Sequence, residues 1–400
     1  MSGSSEAVEV PFALVEDQAS LNALATRLAG ERRIGVDVEA DSMFHYDEKV
    51  CLIQLSTAED NFIVDPLKIP DIAPLEGVFS DPEIEKIFHG ADFDVRSLRR
   101  DFSFRINALF DTQIAARFLG KGDLGLAGLV RDHFGVDLEK KYRKRNWSAR
   151  PLPVEMLRYG ILDSFYLLDL ADFLKRELET KGRLAWVLEE CETLSRVHSQ
   201  ADGNGPLFER FKGAGRLDRR SLAVLEAILR FRDAVAARRD VPHFKVIGNE
   251  TVKDLVRARP ASIEELKAAK ILSPKQIHSL GGGLVREIAG AIALPETDLP
   301  VYPLEPKARR APGSTARYHE LKSWRDRRAA EMDLDPAVVC SNTLLKAIAG
   351  DPPAGPEGLR SIAGIKDWQV RLFGEEICEA VGKIPVQSVS PKKRRRRGGR

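Results

Sequence analysis

The sequence predicts an α/β domain, with a mixed sheet flanked by helices, followed by two small all-α domains. Short apolar runs rich in β-forming residues occur early in the 400-residue chain, and helical patterns then alternate with one more such run. From about residue 217 onward the β signal fades, and helical patterns are interrupted by Pro and Gly. A long-period repetition in this second half indicates two copies of one small helical domain.

The predicted sheet begins with a three-stranded meander. Its strands are short, apolar and separated by polar turns, as expected for consecutive antiparallel strands. A fourth strand and a series of helices follow, so we expect helices to cover the sheet. The predicted strands are residues 34–38, 50–55, 61–64 and 85–89, and the predicted helices are residues 92–101, 111–119, 123–134 and 154–177.

The helical half contains an internal repeat. Phe-Arg-Asp at 231–233 matches Trp-Arg-Asp at 324–326, an offset of 93 residues. A period this long indicates tandem small domains, because solenoid repeats are shorter. The turn-forming stretch 199–206 is a predicted domain boundary, and the Pro-rich stretch 295–314 is typical of a semi-rigid spacer between the copies.

Composition argues against several classes of protein. The chain has 62 Lys and Arg against 60 Asp and Glu, but its last ten residues hold seven of the positive charges. The sequence has no run of 18 apolar residues, so no membrane-spanning helix is predicted. The N-terminus lacks the pattern of a secretory signal. The four cysteines form no C-x-x-C pair, which favours a reducing compartment, and we expect the cytoplasm. The sequence contains no G-x-x-x-x-G-K-[ST] stretch, so it does not predict a P-loop nucleotide hydrolase.

Four acidic residues in three places carry the strongest chemical signal. Asp37 and Glu39 end the first predicted strand, and their spacing of two places both side chains on one face. Two carboxylates held together repel each other unless a cation lies between them. Taken alone, this pair is better explained as a strand that runs into a polar loop.

The other two acids lie on predicted helices. Asp94 falls in the first turn after the fourth strand, where Asp92 is suited to cap the helix. Taken alone, these two acids are explained by the common preference for negative charge at a helix N-terminus, where it complements the helix dipole. Tyr159 and Asp163 share one face of a helix that is apolar nearly all round, and a buried unpaired Asp is costly. Since no Lys or Arg lies on that face between residues 159 and 170, Asp163 requires a cation from elsewhere.

The order and spacing of these motifs resemble those of the DEDD 3′–5′ exonucleases with a tyrosine in the third motif. More closely, the chain resembles the ribonuclease D family, through DVEADSMFHYDEKVCLIQLS, KIFHGADFDVRSL, LFDTQIAARFLG and KKYRKRNWSARPLPVEMLRYGILDSFYLL. The resemblance implies an RNase H-like exonuclease domain followed by two helicase-and-RNase-D C-terminal (HRDC) domains, the second diverged. The implied boundaries are 1–205 for the exonuclease, 216–296 and 316–386 for the HRDC domains, 297–315 for the linker and 387–400 for a disordered basic tail.

The resemblance also implies roles for the acids. Asp37, Glu39, Asp94 and Asp163 would hold two divalent metal ions, Mg²⁺ or Mn²⁺, and Tyr159 would position the attacking water. Hard carboxylate ligands suit these ions, and a pair of them can activate water and stabilise the leaving oxygen. A tyrosine with an ordinary pKa of about 10 is a poor base at neutral pH, so we assign this one to orientation.

Three other titratable residues near the motifs are expected to be structural. Asp111 precedes a predicted helix and is placed to cap it. His89 and His133 have no partner at metal-ligand spacing.

A basic cluster interleaved with aromatic residues precedes the third motif. This pattern suits contacts with phosphates and stacking on bases, and its alternative is a solvated loop with one anchoring Trp. From this cluster, and with a weaker basis from the stretch after Glu39, we predict RNA contacts at Met43, Phe44, His45, Lys141, Tyr142, Arg143, Trp147 and Arg150. The basic tail either adds sequence-independent attraction to phosphates or serves as a solubilising or targeting arm.

The implied activity is a 3′–5′ exoribonuclease that trims structured RNAs such as tRNA precursors and releases nucleoside 5′-monophosphates. No obligate protein partner is evident. Two alternatives stay open: an exonuclease that prefers DNA, and a nucleic-acid-binding scaffold with an inactive nuclease domain. The tandem HRDC pattern favours RNA, and the presence of all four acids and the tyrosine argues against the scaffold.

Overall fold

A computed structural model of the chain describes residues 9–139, 141–197, 205–303 and 311–383. The predicted basic tail, most of the predicted boundary at 199–206 and residues 304–310 of the predicted linker lie outside the described residues. Within the described ranges, no helix is long and apolar enough to span a bilayer.

The first part of the chain forms a six-stranded mixed sheet. Its strands are β1 Ala13–Val15, β2 Arg33–Ala40, β3 Val50–Ser56, β4 Asn61–Val64, β5 Glu85–Phe88 and β6 Leu109–Asp111. The strand order is β1-β4-β3-β2-β5-β6, with β2, β3 and β4 antiparallel and the outer strands parallel to their neighbours. The predicted meander and fourth strand are confirmed. β1 and β6 lie outside the predicted strands, because three residues are too few to show a strand pattern.

Helices flank this sheet. They are α1 Gln18–Leu28, α2 Glu76–Ser80, α3 Asp92–Phe102, α4 Thr112–Leu119, α5 Leu126–Phe134, α6 Val154–Phe165, α7 Leu167–Thr180 and α8 Leu184–Ser195, with a 3₁₀ turn at Ala73–Leu75. The single helix predicted over 154–177 is therefore two helices. They meet at Tyr166, whose N–H bonds to the carbonyl of Ser164 and not to one four residues earlier.

Helix α6 lies against β2 and β3 at short range. A Cβ atom at Gly35 would lie 2.7 Å from the carbonyl oxygen of Ser164, so glycine admits the helix at this point. Across the same contact, the hydroxyl groups of Ser56 and Ser164 share a hydrogen bond of 2.8 Å. This close packing brings α6 over the acidic end of β2.

The second part of the chain repeats one arrangement of five helices, which confirms the predicted repeat. The first copy comprises α9 Arg219–Arg239, α10 His243–Val246, α11 Asn249–Ala258, α12 Ile263–Ala268 and α13 Pro274–Ala293. The second comprises α14 Ser314–Met332, α15 Pro336–Val339, α16 Asn342–Gly350, α17 Pro356–Leu359 and α18 Asp367–Gly382. Short 3₁₀ turns lie at Leu207–Arg210, Ala214–Arg216 and Glu296–Asp298. Helices α10 and α15 begin 93 residues apart, and the three pairs of helices after them keep this offset.

The second copy packs against the sheet domain through aromatic rings. Trp368 of α18 stacks on Trp186 of α8, with centroids 5.0 Å apart and planes inclined by 16°. The ring of Phe118 meets Trp368 edge-on at 5.5 Å. The backbone N–H of Trp368 donates to the Glu189 carboxylate at 2.9 Å. Buried residues of the sheet domain and of the second copy belong to one continuous apolar core. The second copy therefore packs against the sheet domain as part of its core.

The first copy contacts the loop that follows β2 through polar groups and through the ring of Tyr46, which packs against its apolar core. His45 of the loop lies 2.7 Å from the carboxylate of Asp240, measured from Nδ1. The Tyr46 hydroxyl donates to Asp233 at 2.8 Å, and the ring of His243 lies within 2.8 Å of the same oxygen. The first copy is thus attached to the backbone that leaves the acidic end of β2.

Candidate active site

The acidic end of β2 forms the floor of a cleft of about 590 Å³. Asp37 and Glu39 lie on β2, Asp94 in the first turn of α3, and Tyr159 and Asp163 on α6. All five line the cleft. Spacings of two on the strand and four on the helix place each pair on one face, and the packing of α6 turns the two faces toward each other. The three sequence motifs therefore meet at one place.

Three carboxylates of the cleft lie close enough together to share an ion. One oxygen from each of Asp37, Glu39 and Asp163 lies within 4.8 Å of the other two. Asp94 is 7% exposed and lines the same cleft. This donor set consists of hard carboxylate oxygens, which fits Mg²⁺ or Mn²⁺ and does not favour softer metals.

Burial and mutual repulsion raise the pKa values of these carboxyl groups. The pKa of Asp37 lies well above its ordinary value because of burial and then the charges of Asp163, Asp94 and Glu39. Burial, followed by the charges of Asp163 and Asp94, raises the pKa of Glu39 to about 9. Burial raises the pKa of both Asp94 and Asp163 to about 7. Without a cation the cluster keeps protons that carboxylic acids ordinarily lose, and a divalent ion would replace them.

The hydroxyl group of Tyr159 stays protonated. Burial, followed by the charges of Asp163 and Glu39, raises its pKa above the ordinary value. Its ring is held between Tyr142 and Trp147, with centroid distances of 5.6 and 6.3 Å. Such a phenol can donate a hydrogen bond, but it does not take up a proton at neutral pH.

Asp111 has the structural role predicted for it, and Asp92 does not. The carboxylate of Asp111 caps α4 and also accepts the N–H groups of Gly90 and Ala91, at 3.0 and 2.8 Å, ahead of α3. The prediction that Asp92 caps α3 is wrong, because the N-cap position of this helix is Ala91, which makes no side-chain cap bond. Asp92 is the first residue of the helix and pairs at its surface with Arg96 at 2.9 Å.

The basic stretch contributes three exposed side chains to the cleft, those of Arg143, Lys144 and Arg145. Burial raises the pKa of Asp163, and the charge of Arg143 partly offsets this rise. Lys141 does not line the cleft; its ammonium group lies 5.2 Å from the centre of the Tyr142 ring. The residues closest to the acids are therefore those in the middle of the stretch.

Trp147 lies in the interior, which corrects the prediction that it contacts RNA, and the half-buried Arg150 is paired with the sheet. Trp147 is 1% exposed, so its ring offers no face to a base. Arg150 pairs with the buried Asp65 at 2.6 Å and donates to the carbonyl of Cys51 at 2.8 Å. Both side chains anchor the end of the basic loop to the sheet.

The loop after β2 places its three predicted residues differently. Met43 and Phe44 line the cleft. His45 does not, because its two ring nitrogens are engaged by Asp240 and, at 3.0 Å, by Ser148. His45 thus contacts the first helical copy, and its predicted contact with RNA stays a prediction.

Phe93 also lines the cleft, and sequence reasoning does not single it out. It lies between Asp92 and Asp94, and 42% of its surface is exposed. The available signal is an aromatic residue flanked by two acids at the start of a helix. That signal does not separate an exposed ring from a buried one, because Asp94 beside it is itself buried.

Comparison with known proteins agrees with this arrangement. The family model for 3′–5′ exonucleases matches residues 12–179, and the HRDC domain model matches residues 221–288 and 314–381. Ribonuclease D of Acidiphilium cryptum is 30% identical over 372 residues, which cover 92% of this chain and 93% of that protein.

Solved structures show the same architecture. The crystal structure of Escherichia coli RNase D, described as an exoribonuclease involved in structured RNA processing, superposes with a TM-score of 0.72 at 25% identity. The match covers 94% of this chain and all of that one. The catalytic core of RRP6 from Trypanosoma brucei matches with a TM-score of 0.62 at 32% identity, over 74% of this chain and 82% of that one. The chain therefore belongs to the ribonuclease D family of 3′–5′ exoribonucleases.

Proposed function

We propose that this exoribonuclease trims the 3′ ends of structured RNAs, such as tRNA precursors, with two divalent metal ions, Mg²⁺ or Mn²⁺. Asp37, Glu39, Asp94 and Asp163 would hold the ions, and each terminal residue would leave as a nucleoside 5′-monophosphate. The observation that carries the proposal is the convergence of these four acids and Tyr159 in one cleft. When bound, a pair of such ions activates water and stabilises the leaving oxygen of the phosphate.

The protein's own side chains would orient the reactants. Tyr159 remains a phenol, so it would hold the attacking water by a hydrogen bond and would not remove its proton. Arg143 is exposed and close enough to act on Asp163, so it is placed to draw a phosphate toward the acids. Side chains that already hold the reactants in place lower the activation barrier, because no orientation has to be gained during the reaction.

The walls of the cleft suit a single RNA strand. Met43, Phe44 and Phe93 provide an apolar side on which a terminal base can stack, and Lys144 and Arg145 provide positive charge for phosphates. These contacts recognise no particular base. The preference for structured RNA in this proposal follows the description of the Escherichia coli relative.

Digestion of a labelled structured RNA with Mg²⁺, Mn²⁺ or EDTA tests the reaction. We expect nucleoside 5′-monophosphates by mass spectrometry with either metal and no hydrolysis in EDTA. A matched DNA serves as the comparison, and faster loss of the DNA would support the alternative of a DNA exonuclease. Oligonucleotide products, or hydrolysis that persists in EDTA, would contradict the proposal.

Replacing Phe93 by Ala tests the apolar wall. Stacking of a base on an aromatic side chain contributes about 1–3 kcal/mol, so the KM for RNA should rise roughly 5- to 150-fold with a smaller change in kcat. Phe173→Ala is a matched control, because that ring is 39% exposed but lies outside the cleft. Equal KM values for the two variants would remove Phe93 from the binding surface.

A further inference from the structure

Gln54 is a fully buried amide that the proposed reaction does not use. It lies in the middle of β3 and is 0% exposed. Within the described part of the chain, neither its Nε2 nor its Oε1 has a hydrogen-bond partner. Because buried polar groups are nearly always hydrogen-bonded, an amide with both ends unpaired calls for a partner.

The register of the sheet places Gln54 beside the acid cluster. In the antiparallel pair of β2 and β3, Gln54 is directly opposite Asp37. Side chains that are opposite each other in such a pair project from the same face, with Cβ atoms about 4.5–5.5 Å apart. The amide therefore lies on the face of the sheet that carries the acids.

Helix α6 closes this face over the amide. A Cβ atom at Gly160 would lie 3.0 Å from Gln54 Nε2, so the amide rests against the helix backbone between Tyr159 and Asp163. Ser56, the next residue of β3 on this face, is already bonded to Ser164. Two candidate partners for the amide remain. One is the carboxylate of Asp37, opposite the amide on β2. The other is the indole N–H of Trp147, which is buried without a partner in the described residues and whose ring lies 3.6 Å from the same Cβ position at Gly160.

We propose that Gln54 is a positioning residue for Asp37. Its amide N–H donates to the Asp37 carboxylate, directly or through one water, and so fixes that carboxylate in the orientation that binds a divalent ion. The inference rests on the proposed metal site. Hydrogen bonds to ligating groups typically change metal affinity by about 10- to 100-fold when they are removed.

Gln54→Met separates positioning from packing. Methionine has a similar shape but no amide, so a purely structural role predicts equal or higher thermal stability and unchanged metal binding. The proposal predicts equal or higher stability together with Mn²⁺ binding weakened about 10- to 100-fold, measured by electron paramagnetic resonance on the full chain without RNA. At limiting Mn²⁺ the variant should hydrolyse RNA slowly, and excess Mn²⁺ should restore most of the rate.

Three variants of neighbouring residues decide between the explanations. Ser56→Ala removes a hydrogen bond from the same contact and should lower the stability but leave the Mn²⁺ affinity unchanged. Trp147→Phe removes the indole N–H, which can donate only to the amide oxygen of Gln54. It should therefore weaken Mn²⁺ binding less than Gln54→Met does, and a larger loss than that of Gln54→Met would make Trp147 the group that orients Asp37 and overturn the proposal. Asp37→Asn should lose Mn²⁺ binding, and if it does not, the metal site itself is wrong.

Failure of the Gln54 proposal can be told apart from failure of the metal site. If Asp37→Asn loses Mn²⁺ and Gln54→Met binds it like the parent, the metal site stands and the positioning role is refuted. Should Gln54→Met fail to fold, Gln54→Asn provides the same decision, because its shorter amide should weaken Mn²⁺ binding if the hydrogen bond to Asp37 matters and leave it unchanged otherwise.

Discussion

Asp37→Asn is expected to lower the rate of RNA hydrolysis on the order of 10³-fold or more while RNA binding in EDTA stays within about twofold. Asp37 is part of the three-carboxylate cluster, whose oxygens lie within 4.8 Å of one another. An amide in place of this carboxylate removes one negative charge and one ligand from the group proposed to hold both ions. The walls of the cleft that are proposed to contact RNA are left in place.

The measurement is single-turnover hydrolysis at saturating enzyme, with RNA affinity measured separately in EDTA. Asp92→Asn is the matched control, since Asp92 lies on the same side of the molecule but pairs at the surface with Arg96 and does not line the cleft. Hydrolysis by Asp37→Asn at the rate of the parent would show that the acid cluster is not the catalytic centre.

Trp368→Ala should lower the free energy of unfolding by about 3–5 kcal/mol. Trp368 is 4% exposed and packs against Trp186 and Phe118 of the sheet domain, where a truncation leaves a cavity. The rate at which the folded variant hydrolyses short single-stranded RNA should stay near that of the parent, because the ring lies outside the cleft.

Thermal and denaturant unfolding measure the loss, and limited proteolysis shows whether the second helical copy separates from the sheet domain. Leu372→Ala on the same helix is the control: that side chain is 40% exposed, so its loss should change stability by about 0.5 kcal/mol or less. If unfolding of Trp368→Ala matches that of the control, the aromatic contact does not support the fold.

Local patterns were sufficient for much of this fold. Alternating apolar residues with polar turns predict the meander, and helical spacing predicts α3, α4 and α5 closely. The break between α6 and α7 at Tyr166 cannot be predicted from the sequence, because the apolar pattern continues through it without Pro or Gly. The break is seen only in the backbone hydrogen bonding at Tyr166, which the residue pattern does not encode.

The acids of the candidate site could be predicted because their spacing within each motif is local. Asp37 and Glu39 share a strand face whatever the rest of the chain does, and Tyr159 and Asp163 share a helix face in the same way. The RNA contacts could not be predicted this way. A Trp in a basic loop gives the same sequence pattern whether its ring is exposed or buried. Only the packing of the whole domain shows that Trp147 is buried, with 1% of its surface exposed.

The attachment of His45 and Tyr46 to the first helical copy has a mechanical consequence. The strand residue Glu39 is only six residues from His45 along the backbone, and Met43 and Phe44 of the cleft wall lie between them. A tilt of that copy would act through this short segment on the strand that carries Asp37 and Glu39. One repeat thus packs against the nuclease domain through stacked rings, while its twin adjoins the loop at the mouth of the cleft through ion pairs that salt would screen.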